Sequence, residues 1–147
     1  MQIARNRKSI IAIYLSVLRP IFVMSQTNMS SGSIDADKYS VAYVTVPNTD
    51  VGKTIAHGLV KNKLAACVNI IPQITSIYEW KNEINEDSEA LLMIKTRTSE
   101  VDNLTEFVRK NHPYEVCEVI SLPIKSGNPP YLKWIGDIVP ETKVKKN

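Results

Sequence analysis

LAACVNIIPQITSIYEWKNEINEDSEALLMIKTR, Leu64 to Arg97, decides the fold. It reads as two extended arms around a polar turn. The first arm, Leu64 to Trp80, is rich in β-branched and aromatic residues. Its second half alternates, with Ile74, Ser76, Tyr78 and Trp80 on one side and Thr75, Ile77 and Glu79 on the other. The polar stretch Lys81 to Ser88 reads as the turn. The second arm, Glu89 to Arg97, carries the apolar run Ala90 to Ile94, as expected of a strand covered on both faces. An extended residue rises about 3.3 Å, so the first arm reaches roughly 55 Å. A domain of about 100 residues is only roughly 35 Å across. The hairpin is therefore expected to overhang its own domain, and further copies of the chain are the economical cover for its tip. The alternative is that Pro72 breaks the arm into two short strands folded back on themselves.

Outward from the hairpin, Tyr39 to Val46 reads as a strand. Asn48 or Thr49 can cap the helix after it, with Val51, Ile55, Leu59 and Val60 on its apolar face and its end near Lys61–Lys63. Thr98-Ser99 caps a second helix with Val101, Leu104, Phe107 and Val108 inward, stopped by Asn111-His112-Pro113. Glu118 to Ile124 reads as a fourth strand, residues 126–130 as a loop, and Tyr131 to Ile138 as a terminal helix. The fold class is α+β. It is a ferredoxin-like βαββαβ sandwich with a long central hairpin and a C-terminal helix, both crossover helices on one sheet face. The other face is left for self-association.

The chain of 147 residues carries a net charge of +3, and residues 1–38 hold five basic and two acidic side chains. Residues 39–147 are neutral, which argues against a nucleic-acid footprint. The nine-residue apolar run Ile10 to Leu18 follows basic residues and is too short to span a bilayer. It suits a mitochondrial or secretory address, whereas a start at Met24 or Met29 would leave the product cytoplasmic. The organisation is thus 1–38 address and linker, 39–140 folded domain, not membrane-spanning, and 141–147 basic tail. Cys67 and Cys117 have no zinc-site spacing and make no disulfide scaffold.

Four groups carry the functional readings. His112-Pro113-Tyr114-Glu115 brings imidazole, phenol and carboxylate to a helix end, where they either line a cleft or bond the last helix carbonyls. Lys95 is an anion-binding candidate, or an ion-pair partner of Glu118. Tyr78, Trp80, Tyr131 and Trp134, with Ile77, are interface anchors rather than a nucleotide platform. His57 is an exposed or satisfied side chain. An acylphosphatase-like enzyme needs an Arg in the loop after the first strand. That loop is Pro47-Asn48-Thr49-Asp50, so no enzyme is expected.

KLAACVNIIP (63–72), SIYEWKNEI (76–84), EALLMIKT (89–96), HPYE (112–115) and GNPPYLKWI (127–135) resemble the CutA family, in order and at its spacing. The resemblance covers Ser40 to Ile138. It implies a homotrimer built through the hairpin and similar to the PII signalling proteins, with ligand clefts between subunits; the candidate cleft residues of this chain are Lys95, His112, Tyr114 and Glu118. It also implies tolerance of divalent cations, copper above all, with no required cofactor. For animal relatives it implies a client such as acetylcholinesterase, whose trafficking or membrane anchoring is the alternative function. Of the three family cysteines associated with copper, only Cys67 is present; Val44 and Phe107 stand at the other two positions. Cys117 replaces the usual proline after HPYE-x.

Overall fold

A computed structural model of the chain describes residues 37–141. The address expected in 1–38 lies outside these residues up to position 36, as does the tail beyond 141. β1 spans Tyr39–Val46, α1 Thr49–Lys61, β2 Cys67–Trp80 and β3 Glu83–Arg97. A 3-10 turn, Thr98–Glu100, leads into α2, Val101–Asn111, followed by β4, Ile120–Pro123, and α3, Pro129–Ile138. The four strands form one antiparallel sheet in the order β2-β3-β1-β4, the ferredoxin-like arrangement.

Strand parity sorts the residues. Ala42, Val44 and Val46 pair with Ile94, Leu92 and Ala90, and all six are buried under α1 and α2. α1 brings Ile55 and Leu59 to this core and α2 brings Leu104 and Val108. Val60, expected on the apolar face of α1, is exposed. Two glycines let the layers approach. A side chain on Gly52 would meet Leu92 at 3.1 Å, and one on Gly58 would collide with the Phe107 ring. Asn48 caps α1, its side-chain oxygen accepting the Asp50 and Val51 amides at 3.1 and 3.0 Å. The cap expected from Thr98-Ser99 on α2 does not form: Thr98 Oγ1 is instead 2.9 Å from Ser40 Oγ, and the 3-10 turn opens the helix.

The hairpin differs from the expected form at its tip. The turn is Lys81-Asn82 alone, both residues at left-handed φ (53° and 65°), as in a type I′ turn. Glu83 to Ser88, expected in the turn, belong to β3 and pair with Trp80 to Thr75. The first arm begins at Cys67 rather than Leu64, so its reach is about 46 Å at the usual rise per residue. Pro72 does not break it. Pro72 and Gln73 stand opposite Ala90 alone, a β-bulge with Gln73 at φ 59°. Pairing with β1 ends at Ala90, so seven β2–β3 pairs project beyond the sheet, roughly 23 Å of ribbon.

On the face away from α1 and α2, Leu91 and Met93 are half-buried and Ile120 and Leu122 are more than half exposed. The run Ala90 to Ile94 is thus covered on one face by its own chain. α3 covers one end of the other face. Its Leu132 and Ile135, with Val139 just past its end, pack on Tyr39 and Ala66. Arg97 fastens it there, donating from Nε to Val139 O at 2.6 Å and from Nη2 to Gly136 O at 2.8 Å. β4 is shorter than Glu118–Ile124, and Pro129-Pro130, expected in a loop, form the first turn of α3, where proline is tolerated.

Candidate functional site

A cleft of about 740 Å³ opens where the ribbon leaves the body. The ribbon supplies Ser76, Ile77, Tyr78, Trp80 and Glu89, β1 supplies Thr45, and the segment between α2 and β4 supplies Pro113, Tyr114, Glu115, Val116 and Glu118. The bulge makes this possible: it sets Ile74, Ser76, Tyr78 and Trp80 on the sheet face shared by Leu91 and Glu89.

His112 anchors the segment. Its buried ring donates from Nε2 to Thr45 O at 2.8 Å, and Nδ1 accepts the Tyr114 amide at 3.0 Å. Those two bonds require the neutral Nε2–H tautomer. The bond to β1 replaces the helix-carbonyl bond that the sequence suggested. The Tyr114 ring stands edge-on to the imidazole, centroids 4.9 Å apart. Pro113 thus leaves the helix in a fixed direction, and Tyr114, Glu115 and Glu118 reach the cleft.

The cleft is rich in carboxylates and phenols. Glu89 is only 7% exposed, and its Oε1 makes no hydrogen bond. Leaving a buried acceptor unpaired costs about 1–3 kcal/mol. Burial first, then the charge and hydrogen-bonding pull of Glu89, holds the Tyr114 phenol above its ordinary range. Tyr78 donates to Asp87 Oδ2 at 2.5 Å, and that bond to a carboxylate pushes its pKa up to about 12. Tyr131 is raised as well, by burial and then by the adjacent Cys67. Because these phenols have folded pKa values above the unfolded value of 10, their contribution to stability is complete below about pH 10. For Tyr78 it is lost as pH rises through about 12. A spectrophotometric titration at the tyrosinate band is expected to show three late-ionising phenols, and Asp87→Asn is expected to return Tyr78 toward pH 10. A single transition for every tyrosine would contradict the geometry.

Of the residues singled out in the sequence, Tyr114 and Glu118 line the cleft, together with Ile77, Tyr78 and Trp80. His112 stands behind it and lines a neighbouring hollow of about 450 Å³ with Asp50, Val51 and Lys110. Lys95 lies apart. It is buried, bonded to the Asn69 side chain and to Met93 O at 3.2 Å, and forms no ion pair with Glu118. Tyr131 and Trp134 sit on α3 with rings 5.3 Å apart, both partly exposed. Glu89 was not singled out. Its partial signal is parity along β3: once Glu89 belongs to the strand, it shares a face with Leu91 and Met93.

Copper does not fit Cys67 within one chain. The thiol is half-buried beside Tyr131, and no three His, Cys, Asp or Glu side chains among the described residues gather closely enough to hold a metal ion. Cys117 is likewise a free, half-buried thiol. No helix among the described residues is long and apolar enough to cross a membrane.

Known proteins place this architecture. The chain is 66% identical over 125 residues to a CutA homolog of Xenopus laevis, covering 85% of this chain and 82% of that one. It is 64% identical over 99 residues to the mouse protein CutA, covering 67% of this chain and 56% of the relative, so it spans a little over half the mouse protein's length. The crystal structure of CutA1 from Oryza sativa superposes with a TM-score of 0.70 at 50% identity, covering 73% of this chain and 98% of that one. The divalent cation tolerance protein from Thermus thermophilus superposes at 0.68 and 47% identity, covering 69% and 99%. Residues 40–138 match the family described as CutA1 divalent ion tolerance protein, and with the fold above in agreement, this chain belongs to that family.

Proposed function

We propose that this chain is a non-enzymatic subunit serving divalent cation tolerance, which assembles as a homotrimer through its ribbon and holds a small ligand in the cleft at the ribbon's root. The observation that carries the reading is the ribbon itself. Seven strand pairs project with no third strand, Ile77 and Ile84 on one side and Tyr78 and Trp80 on the other. Ile77 is 69% exposed and Ile84 74%, an apolar tip that a chain alone leaves in water. Tyr131 and Trp134 on α3, with Ile120 and Leu122 on β4, extend the uncovered apolar surface.

Self-association shelters both faces of the ribbon and closes the open side of each cleft. The commitment of both His112 nitrogens to backbone groups favours binding over catalysis, since the imidazole beside the cleft is not free to serve as a base. Native mass spectrometry of the full chain at micromolar concentration is expected to find three copies. A compact single chain at that concentration would overturn the reading.

A further inference from the structure

The geometry points to a small organic ammonium ion, a primary amine on an apolar or aromatic body, as the cleft's ligand. Three carboxylates line it, Glu89, Glu115 and Glu118, and none of its lining residues is Lys, Arg or His. An anion would meet uncompensated negative charge there. Glu89 is the second and independent observation: it lines the cleft with its side chain more than nine-tenths buried, the Tyr114 phenol leans on its carboxylate, and Oε1 has no hydrogen-bond partner. A buried acceptor in that state calls for a further donor, and a ligand ammonium can supply one.

A bare metal ion is a poor match, because the described residues gather no set of three metal-binding side chains. The aromatic lining favours an organic cation. Tyr78, Trp80 and Tyr114 border the same space, and ring faces attract a desolvated ammonium or guanidinium. Ile77, Pro113 and Val116 supply apolar wall for the body of the ligand. At about 740 Å³ the cleft is of the size that encloses a small molecule rather than an ion.

This inference rests on the reading of the cleft as a ligand site. The test is isothermal titration of the full chain with phenethylamine and, separately, with phenylacetate, which has a similar shape and the opposite charge. The amine is expected to bind at least about tenfold more tightly, as a charge-assisted hydrogen bond to a buried carboxylate predicts. Glu89→Gln is expected to weaken amine binding about tenfold or more. Glu118→Gln, at an exposed position that does not bear on folding, is expected to weaken it by a smaller factor. Equal binding of phenylacetate, no binding of the amine, or unchanged affinity in both variants would overturn the inference. So would Mg²⁺ or Ca²⁺ binding that depends on Glu89. Loss of assembly in Glu89→Gln, with no amine bound by the native chain, would also overturn it and place a basic side chain of a second copy in the cleft. Native mass spectra taken alongside separate the two readings: three copies indifferent to the amine sink this inference alone, and single copies that bind it sink only the assembly.

Discussion

Aspartate in place of both Ile77 and Ile84 is expected to leave a folded chain that no longer assembles. Neither side chain contributes to the core of a single chain, since both stand on the ribbon beyond the last pair with β1. Their replacement therefore costs the isolated fold little. In an assembly that shelters the tip, each copy instead buries two unpaired carboxylates at several kcal/mol apiece. Every 1.4 kcal/mol is a factor of ten, so association weakens by about a thousandfold or more. Sedimentation velocity is expected to report single chains and far-UV circular dichroism an unchanged fold. Retention of three copies would mean that the ribbon tip is not part of the contact.

The largest effect on folding is expected at Leu92. It is fully buried at the centre of β3, paired with Val44 on one side and Ile70 on the other, with Gly52 of α1 pressed against it. Leu92→Ala removes three carbons from a point where sheet and helix approach closely, and the backbone at Gly52 has no side chain with which to fill the space. The expected loss is about 2–5 kcal/mol. Urea unfolding in the single-chain background of the tip variant measures it free of dissociation. Leu92→Ile, nearly equal in volume, is expected to cost under about 1.5 kcal/mol. A loss under 1 kcal/mol for the alanine variant would mean that the core does not centre on this residue.

Much of this was legible in the sequence because local signals and tertiary packing agree. The β1 and α2 patterns, the Asn48 cap and the stop at Asn111 follow from periodicity and from residues whose side chains act on their own backbone. The overhang followed from length alone. The hairpin tip was not legible, because Lys81-Asn82 lacks the glycine that usually marks a two-residue turn, while the polar Glu83–Ser88 looks like loop. Apart from Ile84 those residues are polar, and no third strand or helix of their own chain covers them, yet they are still paired. Thr98-Ser99 carried a capping signal that tertiary contact with Ser40 diverted. Tyr114 could be named from its motif, and Glu118 was named as a partner for Lys95 that the fold does not bring to it. Glu89 and Thr45 could not be named, since their convergence depends on the bulge and on His112 reaching β1 across 67 residues of sequence.

The extra residue at Pro72–Gln73 has a consequence for tolerance of insertions and deletions along this ribbon. Before it, odd-numbered residues of β2 lie on the cleft side of the sheet; after it, even-numbered ones do. A length change of one residue between the bulge and the tip would turn the outer half over as a block, exchanging Tyr78 and Trp80 for Ile77 and Glu79. Substitution can adjust the cleft one side chain at a time, whereas a frame slip there inverts its whole outer wall.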